Sequence, residues 1–222
     1  GLGSILLIPR ACRCSGVRGL VVVNLRTYDE GLLVERLSRL DKRSKTVFAA
    51  SCAQLLLPMF ERYSRSEGRP ELGVKLQAIV SAAWAAATDA PSRAEMLTLQ
   101  AEAEAMVPSD EDNWTHESPY AQNAAAAAAY AIRTWLTDDP QEAGWAARQV
   151  YELADSVVLQ QNPEIDLTGS DAEDTVLGSA IVQSVLETLA RTLGAVEDRP
   201  FSVKLLRADA EESSRVFGAS VP

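Results

Sequence analysis

His116 is the only histidine of the chain, and it lies where chemistry-bearing side chains crowd together: Asp110, Glu111, Asp112, Trp114, His116 and Glu117. An imidazole among carboxylates is a candidate titrating group, since small shifts carry its charge across neutral pH. General acid–base catalysis also requires a reacting group within hydrogen-bond reach, and no nucleophile accompanies His116 in the sequence. The first reading of His116 is therefore a loop or helix-capping residue. Trp114 reads first as an anchor that packs this loop onto the fold, with contact to a partner as the alternative.

Other candidates for chemistry fall on spacing. Glu102 with Glu104 and Glu211 with Glu212 are two and one residues apart. On a helix such pairs point in different directions, whereas three or four apart would share a face; both read as solvated surface. A single histidine excludes sites built on several imidazoles, and Cys12-x-Cys14 lacks the spacing and the further ligands of a zinc site. Cys52 falls within an apolar stripe and reads as a small buried hydrophobe. The residues contain no Gly-x-Gly-x-x-Gly, no phosphate-binding loop and no Gly-x-Ser-x-Gly elbow. No catalytic, metal-ligating or cofactor-binding residue is assigned.

Charge separates the chain into two parts. Residues 1–26 hold Arg10, Arg13, Arg18 and Arg26 and no acid, so residues 27–222 carry all 31 acids against 17 bases, a net of −14. An acidic surface repels phosphate backbones and anionic membranes and favours basic partners. Nucleic acid and membrane are accordingly set aside, and no apolar run approaches the roughly 20 residues that span a bilayer. Three cysteines in 222 residues make no disulfide framework, and a reducing, cytoplasmic setting is expected.

The elements that must position these residues are helical. The stretch 118–136 is rich in alanine and uncharged on every side from Ala124 to Ile132, as expected of a helix enclosed by others. Ser118 is expected to cap it, with Pro119 at its first helical position. Upstream, Thr27-x-x-Glu30 is a capping-box pattern for a first helix reaching Leu40. Asp41 is expected to cap a second helix to about Ser66, with Phe48, Cys52, Leu55, Leu56, Met59, Phe60 and Tyr63 on one face; Pro58 kinks it without ending it. A third helix, 71–88, buries Leu72, Leu76, Ile79, Val80, Ala83 and Trp84, and a fourth, capped by Ser92, runs to Met106. After the central helix, Asp139-Pro140-x-Glu142 opens a sixth that buries Trp145, Val150 and Leu153. Ser170-x-x-Glu173 opens a seventh, stopped by Gly194 near Leu193, and an amphipathic eighth follows Arg199-Pro200. No strand alternation is present. The expected fold is all-α, a single-domain antiparallel bundle of about seven or eight helices around the Ala-rich helix, over residues 25–218. Residues 1–24, with apolar runs at 5–8 and 19–23 broken by arginine and cysteine, read as a disordered or non-native extension, with a pairing tail as the alternative.

Several of these pieces together resemble the YjaG-like (DUF416-like) family of bacterial all-helical domains of unknown function. They are Leu37-x-x-Leu40 leading into Phe48-Ala49 and Pro58, the helix ending at 79–84, the Val107-Pro108-Ser109-Asp110 loop, and Pro119-Tyr120-Ala121 before the alanines. The likeness covers roughly residues 33–160. It implies a compact cytoplasmic helical domain with no assigned activity; related helical domains occur as immunity proteins beside bacterial toxins.

Two functions are compatible with these residues. The first is a non-enzymatic acidic protein that binds a basic protein through Asp110, Glu111, Asp112, Trp114 and His116. The second is a small-molecule enzyme or sensor with a pocket between helices near 110–117. Because the capped segments need no metal to fold, the domain from Leu25 onward should give a helical circular-dichroism spectrum unchanged by a chelator; strand content, or unfolding on chelation, would refute this reading.

Overall fold

The computed structural model describes residues 25–109, 114–164 and 171–221, leaving aside the side chains of Asp171 and Glu173. Within α2 (Lys42–Ser66) the residues 44–57 are buried without interruption. A helix covered on every side must be surrounded by other elements, and α2 packs on α3 (Pro70–Ala86), α5 (Ser118–Thr137), α6 (Pro140–Gln161), α8 (Ala180–Glu197) and α9 (Val203–Ser220). The Ala-rich α5 is the second inner helix, in contact with α2, α3, α6 and α4 (Arg93–Glu104). Two outer elements complete the fold, α1 (Glu30–Ser38) against α6 and the short α7 (Asp171–Leu177) between α6 and α8. The described residues thus form nine helices and no strand in one domain. No helix among them is long and apolar enough to cross a membrane.

Pro58 lies inside α2 without ending it. Phe48, Leu55, Met59 and Phe60 are in the core as expected, and so is Cys52, whose burial pushes its thiol pKa upward and leaves it inert. Asp41 and Ser92 cap α2 and α4 by accepting from Ser44 N and Glu95 N.

Other expected boundaries move, each for a local reason. α1 is capped by Asp29, which accepts from Leu32 N, so Thr27 stands outside the helix. Ser118 is the first residue of α5; its Oγ accepts from Thr115 N at 2.9 Å, closing the preceding turn instead of the helix. Asp139 does cap α6, accepting from Gln141 N, but Glu142 does not complete a box. Its carboxylate accepts from Arg133 Nη2 at 2.6 Å, and the residue is 4% exposed; burial raises its pKa against the opposing pull of that guanidinium. The expected seventh helix is two, because Gly178 turns the chain and Ser179 caps α8 by accepting from Val182 N. Gly194 lies inside α8, which continues to Glu197, and α4 ends at Glu104 instead of Met106. Trp145 is half-buried against Tyr130, and Leu72 is half-buried rather than in the core. The Ser170 start and the 1–24 extension lie outside the described residues.

Close approach sets the inner seams. A Cβ on Gly218 of α9 would stand 2.8 Å from Pro58 Cβ, and one on Gly144 of α6 would stand 2.7 Å from Val34 Cγ2. With Leu55 3% exposed in this setting, Leu55→Ala should cost about 2 to 5 kcal/mol in chemical denaturation; a loss below roughly 0.5 kcal/mol is what a surface position gives and would remove the residue from the core.

Candidate functional site

The loop singled out by its residue types returns to the bundle at the N-terminus of α5. Ser118 N donates to Thr115 O at 3.1 Å while Thr115 N donates to Ser118 Oγ, a reciprocal pair that fixes the last turn of the loop. Glu117 then occupies the N-cap position without capping through its side chain. Its carboxylate meets Arg62 Nε of α2 at 2.8 Å, with the two side chains 14% and 28% exposed.

Arg62 ties several elements together. Its Nη1 donates to Val221 O at the end of α9 at 3.1 Å, and its guanidinium lies 5.9 Å from the Tyr120 ring centroid. The Tyr120 hydroxyl donates to Gln160 Oε1 of α6 at 2.5 Å, and burial raises its pKa. Gln160 Nε2 reaches back to His116 O at 3.5 Å, and the His116 ring stands edge-on to Tyr120 with centroids 6.3 Å apart. One end of the bundle is therefore held by α2, α5, α6 and α9 through a single polar cluster.

The exposed part of the loop sits on this base. Trp114 leaves 46% of its surface in solvent, and His116 is exposed. Asp110, Glu111 and Asp112 lie outside the described residues. The structure thus joins His116 and Glu117 to Arg62, Tyr120 and Gln160, none of which the sequence singled out as site residues. Arg62 follows the buried stripe of α2 with no local sign of its partner 55 positions away.

Glu117 is engaged by a guanidinium, and among the described residues no group of three or more His, Cys, Asp or Glu is placed to hold a metal ion. Grooves of about 620, 350 and 250 Å³ lie between α3 and α4, where α6, α8 and α9 meet, and between α8 and α9. None of these three takes a lining residue from 114–117. The Glu102 and Glu211–Glu212 carboxylates meet surface cations, Lys75, Arg207 and Arg215 respectively.

The profile of a family described as "Protein of unknown function (DUF416)" matches residues 33–214, from α1 to α9. The chain belongs to the DUF416 family. A crystal structure of a DUF416 family protein from Shewanella baltica OS155, at 1.91 Å resolution, has the same fold with a TM-score of 0.70. At 18% identity the likeness covers 81% of this chain and 93% of that one. No curated protein matches. The DUF416 match includes Arg62, the 109–117 loop, Tyr120 and Gln160, while Val221, the remaining member of the cluster, lies past its end.

Removing Arg62 would leave the Glu117 carboxylate without its guanidinium in a mostly buried place. Arg62→Met should cost about 2 to 4 kcal/mol, and the double variant Arg62→Met/Glu117→Gln should recover part of that loss because no uncompensated charge remains. Urea denaturation measures both. A single-variant loss under roughly 0.5 kcal/mol would class the pair with ordinary surface ion pairs.

Proposed function

We propose that this chain is a non-catalytic binding protein of the bacterial cytoplasm whose partner is a basic protein. The contact is made by the acidic stretch Asp110, Glu111 and Asp112 together with Trp114, and His116 flanks it. The observation that carries this reading is Trp114: an indole 46% exposed, two residues before an exposed histidine and next to a clamped helix start. Large aromatics on a firm base are the residues that supply binding energy when they enter a partner's pocket. The net of −14 over residues 27–222 supplies long-range attraction for a basic surface and disfavours nucleic acid and anionic membranes. Neutralisation of a toxin is one role such a module would serve. Within DUF416 we place the chain with the YjaG-like members, on Leu37-x-x-Leu40, Pro58 and Pro119-Tyr120-Ala121.

Charge and indole should separate in kinetics once a basic partner is in hand. Surface charges chiefly govern encounter, so neutralising Asp110, Glu111 and Asp112 together should slow association and flatten its salt dependence. Trp114→Ala should instead speed dissociation, by about 10-fold or more if the indole is a hot spot. Surface plasmon resonance reads both rates and thermal melts read stability. Lost stability with unchanged rates would reduce the loop to a cap on α5 and overturn the proposed contact.

A further inference from the structure

The chain enters the described residues at a fixed point. Gln183 of α8 holds both backbone groups of Arg26: its Oε1 accepts from Arg26 N and its Nε2 donates to Arg26 O, each at 2.9 Å. The same Nε2 donates to Leu177 O at 2.8 Å, so the clamp is tied to the turn that precedes α8. Arg26 Nε meets Glu187 Oε2 at 2.5 Å, and Leu25 stands against Gly178, where a Cβ would lie 3.9 Å from Leu25 Cδ1. Two residues after the clamp, Tyr28 stacks on Tyr151 of α6 with ring centroids 4.8 Å apart. Followed backwards from Tyr28, the chain therefore crosses from α6 to the N-terminal end of α8.

A trough opens at that end, because α8 and α9 touch only lightly. Its first part, about 350 Å³, is bounded by Val158 and Asn162 at the end of α6, Ser179 and Ile181 at the start of α8, and Phe217 of α9. A second part of about 250 Å³ continues along α8 to Arg191. The two share Ser184, Val216 and Phe217 and so form one trough. Val216 is 52% exposed in it, and Ile181 is half-buried. Gln183 and Glu187, which hold Arg26, form the helical row next to Ala180, Ser184 and Thr188 of the lining.

The residues just before the clamp are Gly19-Leu20-Val21-Val22-Val23-Asn24. Three successive valines favour extended chain, and four adjacent apolar side chains gain by leaving water. Five extended residues reach about 16 Å, which is also about the length of the α8 wall from Ala180 to Arg191. Tethering adds to this fit. A segment joined directly to Leu25 meets the trough at an effective concentration on the order of millimolar, which a free ligand rarely matches.

We infer that the trough between α6, α8 and α9 is the seat of the chain's own residues 20–23, laid along α8 as a strap over Ile181 and Val216. The strap extends the anchoring that Gln183 begins at Arg26. It stands apart from the 110–117 loop and requires no partner protein.

Amide hydrogen exchange on the full chain, read residue by residue by NMR, tests the strap, with a synthetic peptide of residues 17–26 as the unprotected reference. Amides of residues 20–24 should exchange at least about 10-fold more slowly in the chain than in the peptide. Ala180→Trp, and independently Ser184→Trp, fill the trough from exposed positions. Each should return residues 20–23 to the peptide rate while the Arg26 amide, held by Gln183, stays protected. Equal rates in chain and peptide, or protection that survives both tryptophan variants, overturns the seat. Protection that rises with protein concentration assigns the trough to the same segment of a second copy and overturns seating within one chain.

Discussion

Everything in this bundle depends on burying α2, and burying a helix means dealing with the polar groups around it. Three cations of α2 each close the end of a different helix. Arg43 donates to Ala87 O at the C-cap of α3, Lys45 to Asp138 O at the C-cap of α5, and Arg62 to Val221 O at the C-cap of α9. The last carbonyls of a helix have no intrahelical donor and carry its partial negative charge, so a cation there satisfies both a hydrogen bond and a dipole. The polarity of the neighbours follows: α3 and α5 finish at the N-terminal end of α2, and α9 finishes at its other end. Lys45 is 5% exposed and also meets Asp138 Oδ1 at 2.8 Å; a buried ammonium is tolerated only with such company. Asp138 holds that position with a left-handed backbone, φ 60°.

The two inner helices solve the packing problem in opposite ways. α5 is nearly all small side chains on its inner faces, with Ala124, Ala125, Ala127, Ala128, Ala129 and Ala131 buried, so neighbouring backbones come close from several directions. α2 brings bulk, including Phe48, Leu56 and Phe60. Where bulk meets a backbone the glycines give way, as at Gly218 beneath Pro58. The ring that costs α2 a hydrogen bond is thus also what fills the seam to α9.

What the sequence made legible follows the range of the interaction. Capping by Asp41, Ser92 and Asp139 was readable because donor and acceptor lie within three residues. Thr27 and Ser118 had the right chemistry in the wrong backbone: a nearer acid took the first cap, and a turn took the second hydroxyl. Glu142 left its expected box for Arg133 nine residues earlier, on the facing helix. The inner position of α5 was advertised by polyalanine, whereas the deeper burial of α2 was disguised by Ser44, Lys45, Thr46, Ser51 and Gln54, polar residues that are all buried. The loop at 110–117 stood out by composition; its base did not, because Arg62 to Glu117 and Tyr120 to Gln160 are contacts across the fold.

A shared DUF416 fold at 18% identity carries the architecture and leaves the work of the chain to its sites, since one fold hosts many functions. The clamped start of α5 gives that work a physical form. A loop that must order on binding loses affinity to its own entropy, and a loop whose last turn is already fixed loses less. Thr115 and Ser118 fix that turn, and Arg62 locks Glu117 to α2 and to the end of α9. Trp114 is one residue outside this locked segment, so its indole, 46% exposed, stands at a rigid edge. The open seam between α3 and α4 ends at Met106, just past the end of α4, where the chain leaves for that loop.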